Sequence, residues 1–265
     1  MRRTEKGSSM RAMILAAGLG TRLLPYTKTL PKSLLPVNGK PLIAYPLGLV
    51  KEAGVKDVVV NVFHLADQIE SALKLCSNMG LNVRFSREQN LLETGGGLSN
   101  AQRFLGNETF FLLNSDVVCD IDLRHVLETH IRSGAIATMV LVEREGRSQY
   151  APVVWDPRSK HVKDLRGELG VRTKHSRSLV FAGIQVMEPA VFDYLLKRKE
   201  SIIDAFYLPA LREGRHIHGY LHSGYWADAG TVQDYVRVRS DLAGVRFSNL
   251  KPVPLSALTS LDIEP

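Results

Sequence analysis

The sequence predicts an α/β protein with an open, mostly parallel sheet, helices on both faces, and a mixed or antiparallel extension. Three observations lead to this prediction. Short apolar runs alternate with helix-length segments through the first part of the chain, as in β-α-β units. The first run, 13–17, ends in a Gly-rich turn, which is typical of a ligand-binding strand end. Beyond about residue 150, short strands alternate with turns instead.

The elements of the first part follow one another without long gaps. Residues 13–17 are apolar and predict a buried strand, and residues 41–53 carry apolar side chains at helical spacing and end at Gly54. Valines fill the next strand, 58–62, and a glycine cluster precedes the helix at 98–103. The other predicted elements of this part are helix 66–76, strand 83–86, strand 110–113, helix 123–133 and strand 135–142.

The second part reads as a sheet extension and a closing helix. Its predicted strands are 153–155, 162–165, 180–187 and 216–221, and its helix is 232–242. We expect a single domain at 11–245, with one half at 11–145 and the other at 146–245. Residues 1–10 are predicted to form a disordered lead-in, and Arg11, which adjoins it, is predicted to be dispensable for activity. Residues 246–265 are predicted to form a tail, because they show no periodicity.

Composition excludes several function classes. The 265 residues are 45% apolar and 23% charged, ordinary values for a globular protein. No apolar run reaches the roughly 18 residues that span a bilayer, so no membrane partner is expected. Cys76 and Cys119 stand alone without a metal-type spacing, which favours a reducing cytoplasm. The net charge is +7, and the basic residues are not interleaved with aromatic ones as in an RNA-binding motif. This pattern favours small phosphate substrates over nucleic acid.

A Gly-rich turn follows the first strand. Gly18 and Gly20 allow a tight turn whose backbone N–H groups face phosphate oxygens. Arg22 and Lys32 supply positive charge beside it. The turn is not a P-loop, because no Gly-Lys-Ser/Thr follows, and it lacks the third glycine of a dinucleotide-binding turn.

The stretch Gly18-x-Gly20-x-Arg22-x-x-Pro25-x-Thr27-x-x-x-Pro31-Lys32 resembles the N-terminal motif of the sugar-phosphate nucleotidyltransferases. The resemblance covers roughly residues 11–240. It implies a Rossmann-like fold and a reaction that joins a nucleoside triphosphate to a sugar 1-phosphate and releases pyrophosphate. Arg22 would hold the β- and γ-phosphates, and Lys32 would bridge phosphate oxygens as catalytic residues. The implied nucleotide contacts in this region are Leu15, Ala17, Gly18, Gly20 and Thr21.

Two carboxylates are candidates for one Mg²⁺. Asp116 follows an apolar strand in Asn114-Ser115-Asp116, and Asp228 lies in Trp-Ala-Asp-Ala-Gly-Thr. Carboxylate oxygens suit Mg²⁺, although a helix cap or a turn explains most isolated aspartates. Both segments resemble metal-binding motifs of the family, which pairs Asp116 with Asp228 and gives Asp116 a catalytic role.

The segment Glu-Thr-Gly-Gly-Gly at 93–97 lies where the family contacts the base. The resemblance assigns Thr94 and Gly95 to the nucleotide, with the glycines forming a flat platform before a helix. Glu88 is a candidate acceptor for base N–H groups, with a surface carboxylate as the alternative. The form of the segment resembles the muramic-acid, heptose and mannose branches, which predicts UTP, with GTP as the alternative, rather than dTTP.

Sugar recognition rests on fewer residues. Phe181-Ala182-Gly183-Ile184 resembles the segment where a glycine passes the sugar, so Gly183 and Asn114 are the predicted sugar contacts; a glycine kink in a strand is the alternative. The family's Glu-Lys-Pro segment for the sugar phosphate is not reproduced. Arg172 or Lys174 are the candidate substitutes.

Other function classes stay open. A nucleotide-binding relative without turnover is one, although Arg22, Lys32, Asp116 and Asp228 together favour an enzyme. A cytidylyltransferase for choline or polyol phosphate is another, although the sequence shows no aromatic cage for a quaternary ammonium. The chain is expected to act as a monomer or homo-oligomer.

Overall fold

The computed structural model describes residues 10–143, 149–243 and 250–255. Its strands are β1 (Arg11–Leu15), β2 (Pro36–Val37), β3 (Lys40–Pro41), β4 (Asp57–Val62), β5 (Asn82–Arg87), β6 (Phe110–Asn114), β7 (Val117–Cys119), β8 (Ala137–Glu143), β9 (Val153–Trp155), β10 (Val162–Leu165), β11 (Arg177–Met187), β12 (Ile217–Leu221) and β13 (Trp226–Asp228). Its α-helices are α1 (Ala44–Glu52), α2 (Ala66–Leu73), α3 (Glu93–Leu105), α4 (Leu123–Ser133), α5 (Leu208–Arg212) and α6 (Val232–Ala243). No described helix has the length and apolarity that crossing a bilayer requires.

Nine of the described strands form one mixed sheet. Strands β5, β4, β1 and β6 lie side by side and run parallel. Strand β11 runs antiparallel to β6 and to β8, and β12 pairs parallel with β8. Strands β9 and β10 extend the sheet from the first residues of β11. The predicted parallel sheet with a mixed extension is thus confirmed.

Strand β1 is central because both of its edges are paired and both of its faces are covered. Met13 pairs with Val59 on one side and Leu112 on the other. Met13 packs into the apolar core on one face of the sheet, and Ile14 packs into the core on the opposite face. Burial on both faces explains why this strand reads as a continuous apolar run.

The predicted boundary of the first strand is wrong. The first strand is 11–15, not 13–17, so Arg11 is part of β1 rather than of a lead-in. A Cβ on Gly106 would lie 2.3 Å from Nη1 of Arg11, which shows how closely the guanidinium packs there. Residues 1–9, 246–249 and 256–265 of the predicted lead-in and tail lie outside the described residues. Val253 of the tail is buried and donates its N–H to Ala44 O at 3.0 Å.

Histidines gather beside β12. The rings of His161 and His216 stack at 3.8 Å, and His218 lies 5.8 Å from His216 between ring centroids. His218 is 8% exposed. Burial is the main cause that lowers the pKa of His218 from 6.5 to about 4, and the nearby positive groups His216, His161, His130 and Lys160 contribute to this shift.

Stability is expected to fall as the pH drops from about 6.5 to about 4. In this window the unfolded chain binds a proton at His218 and the folded protein does not, so protons favour unfolding. The free energy of unfolding should lose up to about 1.4 kcal/mol per pH unit from this site, with no contribution above the window and no further loss below it. Urea unfolding across this pH range measures the effect.

The variant His218→Asn isolates that contribution, since it cannot take up the proton. Its stability should depend less on pH than that of the wild type over the same window. His125, whose side chain is 57% exposed, provides the matched control, and His125→Asn should keep the wild-type slope. Parallel pH profiles for wild type and His218→Asn would contradict this prediction.

Candidate active site at the carboxyl edge of the sheet

A cavity of about 460 Å³ opens at the carboxyl ends of β1, β4 and β6. These strands are parallel, so their ends meet at one edge, where ligands bind in open α/β sheets. The lining residues are Leu15, Ala16, Ala17, Gly18, Arg22, Lys32, Ser33, Asn61, Leu91, Glu93, Thr94, Asn114, Ser115, Asp116 and Ser201. The sequence-predicted site residues that are not among the lining residues are Gly20, Thr21, Glu88, Gly95, Gly183 and Asp228.

Two other residues of the same motif, Thr27 and Lys32, pack against Gly20 in the Gly-rich turn. Gly20 has φ 66°, and a Cβ there would lie 2.8 Å from Cγ2 of Thr27 and 3.3 Å from Cβ of Lys32. The buried Thr27 donates its hydroxyl to Gly20 O at 2.8 Å. Gly20 and Thr27 therefore shape the turn, whereas Gly18 is exposed and its Cβ position faces open space.

Two basic side chains of the motif lie on the cavity. Arg22 is exposed within the 3-10 turn Thr21–Leu23 at its rim. The ammonium group of Lys32 forms an ion pair with Asp116. Both partners of this pair are largely buried, with side chains 17% and 13% exposed. Screening by water is weak at such a site, so the charges act strongly on anything bound between them.

A two-stranded ribbon brings the predicted carboxylates together. Strands β7 and β13 pair antiparallel so that Asp228 lies opposite Val117, the residue after Asp116. The N–H of Ala229 also donates to Asp116 O at 3.2 Å. Burial, and after it the negative charge of Asp116, raise the pKa of Asp228 to about 6. Two hard oxygen donors that repel each other in a buried site fit a divalent cation such as Mg²⁺.

Tyr150 is a residue of this site that sequence reasoning missed. Its hydroxyl donates a hydrogen bond to Oδ1 of Asp228. Its ring meets Trp226 edge-on, with centroids 5.6 Å apart, and Trp226 donates Nε1–H to Ala182 O at 2.8 Å. Nothing in the sequence around a single tyrosine in a loop indicates this contact.

The two predicted sugar contacts touch each other. Gly183 has φ 73°, and a Cβ there would lie 2.7 Å from Nδ2 of Asn114. The pairing register of β11 shifts between Phe181 and Gln185, so the strand kinks at this glycine. Asn114 occupies the freed space and lines the cavity.

Glu88 lies neither on the surface nor on the wall of the cavity. It is 5% exposed and so is not a surface carboxylate. Its Oε1 accepts from Nδ2 of Asn61 at 2.7 Å, and its Oε2 accepts from Leu92 N at 2.9 Å. Asn61 accepts in turn from Ala16 N at 2.8 Å. Glu88 therefore links the ends of β1, β4 and β5 with the start of α3 behind the cavity wall, and burial raises its pKa.

The glycine triplet lies inside α3, not in a loop before it. Gly95 and Gly96 donate N–H to Glu200 O at 2.9 and 3.2 Å. A Cβ on Gly96 would lie 1.9 Å from Arg198 O. A Cβ on Gly97 would lie 2.8 Å from both Oε1 of Glu88 and Nδ2 of Asn61. The expectation of a flat platform for the base is wrong, because these glycines let chain segments pack closely. A run of glycines in a sequence does not distinguish the two uses.

The neighbours of the triplet do face the cavity. Thr94 lines it and accepts a hydrogen bond from Ile202 N at 2.9 Å. Glu93 also lines it, with φ 61° and its carboxylate 3.5 Å from Nζ of Lys199. The candidate phosphate anchors Arg172 and Lys174 are exposed and do not line this cavity.

The variant Gly96→Ala is expected to lose stability. Its Cβ would collide with a backbone carbonyl, which cannot rotate away, and overpacking of this kind costs about 1–3 kcal/mol. Gly18→Ala provides the control, since its Cβ enters open space. Urea unfolding should show a lower midpoint for Gly96→Ala alone. Equal midpoints for Gly96→Ala and the wild type would contradict the packing role.

Comparison with known proteins identifies the family of this chain. Residues 11–244 match the sequence model of the nucleotidyl transferase family, which is most of the 265-residue chain. The chain belongs to the nucleotidyl transferase family. Its resemblance to the sugar-phosphate nucleotidyltransferases is therefore confirmed.

Among similar members of the family, a mannose-1-phosphate guanyltransferase of Aspergillus oryzae is 34% identical over 86% of this chain and 62% of its own length. A UTP–glucose-1-phosphate uridylyltransferase of Synechocystis sp. is 32% identical over 94% of this chain and 66% of its own length. The chain thus spans a little under two thirds of these curated relatives.

Solved structures of other proteins show the same fold. A putative glucose-1-phosphate thymidylyltransferase from Bacillus anthracis superimposes with a TM-score of 0.77 and 21% identity, covering 90% of this chain and 97% of that one. HddC from Yersinia pseudotuberculosis, complexed with GMP-PN, gives a TM-score of 0.73 and 21% identity, covering 88% and 99%. At this identity the likeness concerns the fold.

Proposed function

We propose that this protein is a sugar 1-phosphate nucleotidyltransferase. A phosphate oxygen of the sugar 1-phosphate attacks the α-phosphorus of a nucleoside triphosphate. The new P–O bond forms as the bond to the β-phosphate breaks, and pyrophosphate leaves in line. One observation carries the proposal: Lys32 and Asp116 pair at the cavity beside the Gly-rich turn, and Asp228, far away in the chain, lies next to Asp116.

The chain's own part in this reaction is positioning and charge neutralisation. Arg22 at the rim holds the β- and γ-phosphates and stabilises the leaving pyrophosphate. Lys32 turns from Asp116 to the phosphate oxygens as negative charge develops there. Gly18 leaves the backbone open to the triphosphate, next to the cavity-lining Leu15 and Ala17.

Asp116 and Asp228 would hold Mg²⁺. When bound, the ion supplies positive charge to the α-phosphate and so favours attack. Tyr150 donates to Asp228 and fixes the orientation of that carboxylate. Asn114, held against Gly183, faces the space left for the sugar.

We propose GTP as the preferred triphosphate, ahead of the UTP that the sequence favours. The guanyltransferases among the similar proteins support this choice. So does Glu93 on the cavity wall, since a carboxylate can accept from both N1–H and N2–H of guanine. Glu88 is a weaker candidate, because it is buried behind the cavity wall, where its oxygens bond to Asn61 and Leu92.

Pyrophosphate release tests both parts of the proposal. GTP, UTP, CTP, ATP and dTTP are each combined with a panel of sugar 1-phosphates in the presence of Mg²⁺. We expect turnover with the highest kcat/KM for GTP. Glu93→Gln should lower kcat/KM for GTP about tenfold or more, if it loses a bidentate contact to guanine, and leave UTP unchanged. The exposed Glu108 offers the control Glu108→Gln.

Each contrary outcome has a definite meaning. Nucleotide binding without pyrophosphate release would make the chain a non-catalytic relative. Turnover of CTP with choline or polyol phosphate alone would favour the cytidylyltransferase alternative. A clear preference for dTTP would overturn the branch assignment, and a preference for UTP that survives Glu93→Gln would restore the sequence-based expectation.

A further inference from the structure

A second group of metal-binding side chains lies outside the cavity. Cys119 ends β7, Asp120 follows it, and His222 follows β12. One ligand atom from each side chain, a sulfur, a carboxylate oxygen and an imidazole nitrogen, lies within 4.8 Å of the other two. Cys119 is 2% exposed, and the side chains of Asp120 and His222 are 23% and 10% exposed.

We propose that Cys119, Asp120 and His222 form a zinc site with three protein ligands. Zinc accepts sulfur, nitrogen and oxygen donors together, whereas Mg²⁺ takes oxygen donors. The site is therefore chemically distinct from the pair Asp116 and Asp228. Two of the three ligands, Cys119 and Asp120, line a second cavity of about 290 Å³.

The surroundings of the sulfur fit a bound thiolate. Burial raises the pKa of Cys119 to about 12, so the thiol keeps its proton when no cation is near. The backbone N–H groups of Ile121 and Asp120 lower this pKa through hydrogen bonds and so favour the thiolate, whereas the negative charge of Asp120 raises it. Hydrogen bonds of this kind accompany metal-bound thiolates. Binding replaces the S–H bond of Cys119 with an S–Zn bond and releases that proton to solvent. Nε2 of His222 faces two oxygen acceptors and carries the imidazole proton, so this proton moves through solvent to Nδ1 when Nε2 binds zinc.

The imidazole is held in place for ligation. Nε2 of His222 lies 3.0 Å from Oδ1 of Asp120 and 3.4 Å from Tyr225 O. The loop closes tightly here, because a Cβ on Gly224 would lie 2.2 Å from Oδ1 of Asp120 and 2.7 Å from Cε1 of His222. Zinc–ligand bonds of about 2.0–2.3 Å place ligand atoms about 3.5 Å apart. The side chains need only a small adjustment to reach that spacing.

The position of this cluster gives the ion a structural role. In the ribbon of β7 and β13, Cys119 pairs with Trp226 at one end, and Val117 pairs with Asp228 at the other. A zinc ion at the first end ties β7 to the loop that enters β13. It would thereby fix the ribbon that carries both carboxylates of the candidate active site.

Cobalt(II) is the probe for this site. The chain is freed of metal with a chelator, the chelator is removed, and Co²⁺ is added. We expect a near-ultraviolet absorption from thiolate-to-cobalt charge transfer, which Zn²⁺ abolishes by competition and excess Mg²⁺ leaves unchanged. Zn²⁺ should also raise the Tm, because it binds the folded state.

Two buried thiols make the test specific. Cys119→Ser should lose both the absorption band and the Zn²⁺-dependent rise in Tm. Cys76→Ser should keep both, since Cys76 is equally buried but lies in a different part of the fold. His222→Gln and Asp120→Asn, at partly exposed positions, should weaken Co²⁺ binding at least about tenfold, and they decide the matter if Cys119→Ser does not fold.

The proposal fails if the wild type gives no charge-transfer band. It also fails if the band persists in Cys119→Ser, is lost in Cys76→Ser, or is removed by Mg²⁺. Unchanged Co²⁺ affinity in both His222→Gln and Asp120→Asn would equally overturn it.

Discussion

Replacing Asp116 or Asp228 with asparagine is expected to lower kcat at least about a hundredfold, the cost of losing a strong electrostatic stabiliser of the transition state. Either change leaves one carboxylate where two would hold the cation. The fold should persist, because an amide fills the same volume in both places. Pyrophosphate release at saturating Mg²⁺, with triphosphate and sugar 1-phosphate both varied, measures kcat.

Stability separates this effect from misfolding. Burial and the charge of Asp116 raise the pKa of Asp228 to about 6, which means that its charged form is destabilised in the folded protein. Asp228→Asn removes that charge, so without Mg²⁺ its unfolding midpoint at pH 8 should equal or exceed that of the wild type. Asp193, exposed and away from the cavity, supplies the control Asp193→Asn. Near-normal turnover by either active-site variant would remove that residue from the metal site.

Replacing Arg22 with alanine is expected to raise the KM for the triphosphate and to lower kcat, with a combined loss in kcat/KM of about a hundredfold. The guanidinium is exposed at the cavity rim beside the open Gly18, and in the proposed function it holds the phosphates that leave. Binding of pyrophosphate as a product inhibitor should weaken in parallel. Initial rates at varied triphosphate, together with product inhibition, measure both effects.

The control for Arg22 is an arginine of equal exposure elsewhere. Arg132 lies on the outer face of α4 and contacts Thr129 of the same helix. Arg132→Ala should leave kcat/KM and product inhibition unchanged. A loss for Arg22→Ala that is confined to KM for the sugar 1-phosphate would show that Arg22 holds the other substrate.

The sequence predicts the basic residues of the site more directly than it predicts the pair of carboxylates. The Gly-rich turn, Arg22 and Lys32 come from one continuous stretch, so spacing alone places them together. Asp116 follows a buried strand, and that also can be read locally. Asp228 was paired with Asp116 through resemblance, and the ribbon of β7 and β13 supplies the physical reason, since its register sets Asp228 beside the residue after Asp116.

The sequence predictions for Glu88 and for the glycines at 95–97 differ from the structure for the same reason. The sequence suggests a surface or base-binding carboxylate at Glu88, whereas in the structure Asn61 and Leu92 donate hydrogen bonds to its two oxygens. The glycines at 95–97 looked like a ligand platform, yet Gly96 faces the carbonyl of Arg198. In each case the local sequence allows both uses. The deciding partner lies elsewhere in the chain, and only packing brings it near.

The sequence by itself determined the alternation of strands and helices, the mixed sheet, and the turn after β1. These follow from periodicity and from backbone preferences of neighbouring residues, which are local properties. The tertiary structure alone decided that Tyr150 meets Asp228, that Asn114 fills the space at Gly183, and that His222 reaches Cys119. Such contacts depend on strand register and loop closure across the whole sheet, which no short stretch of sequence encodes.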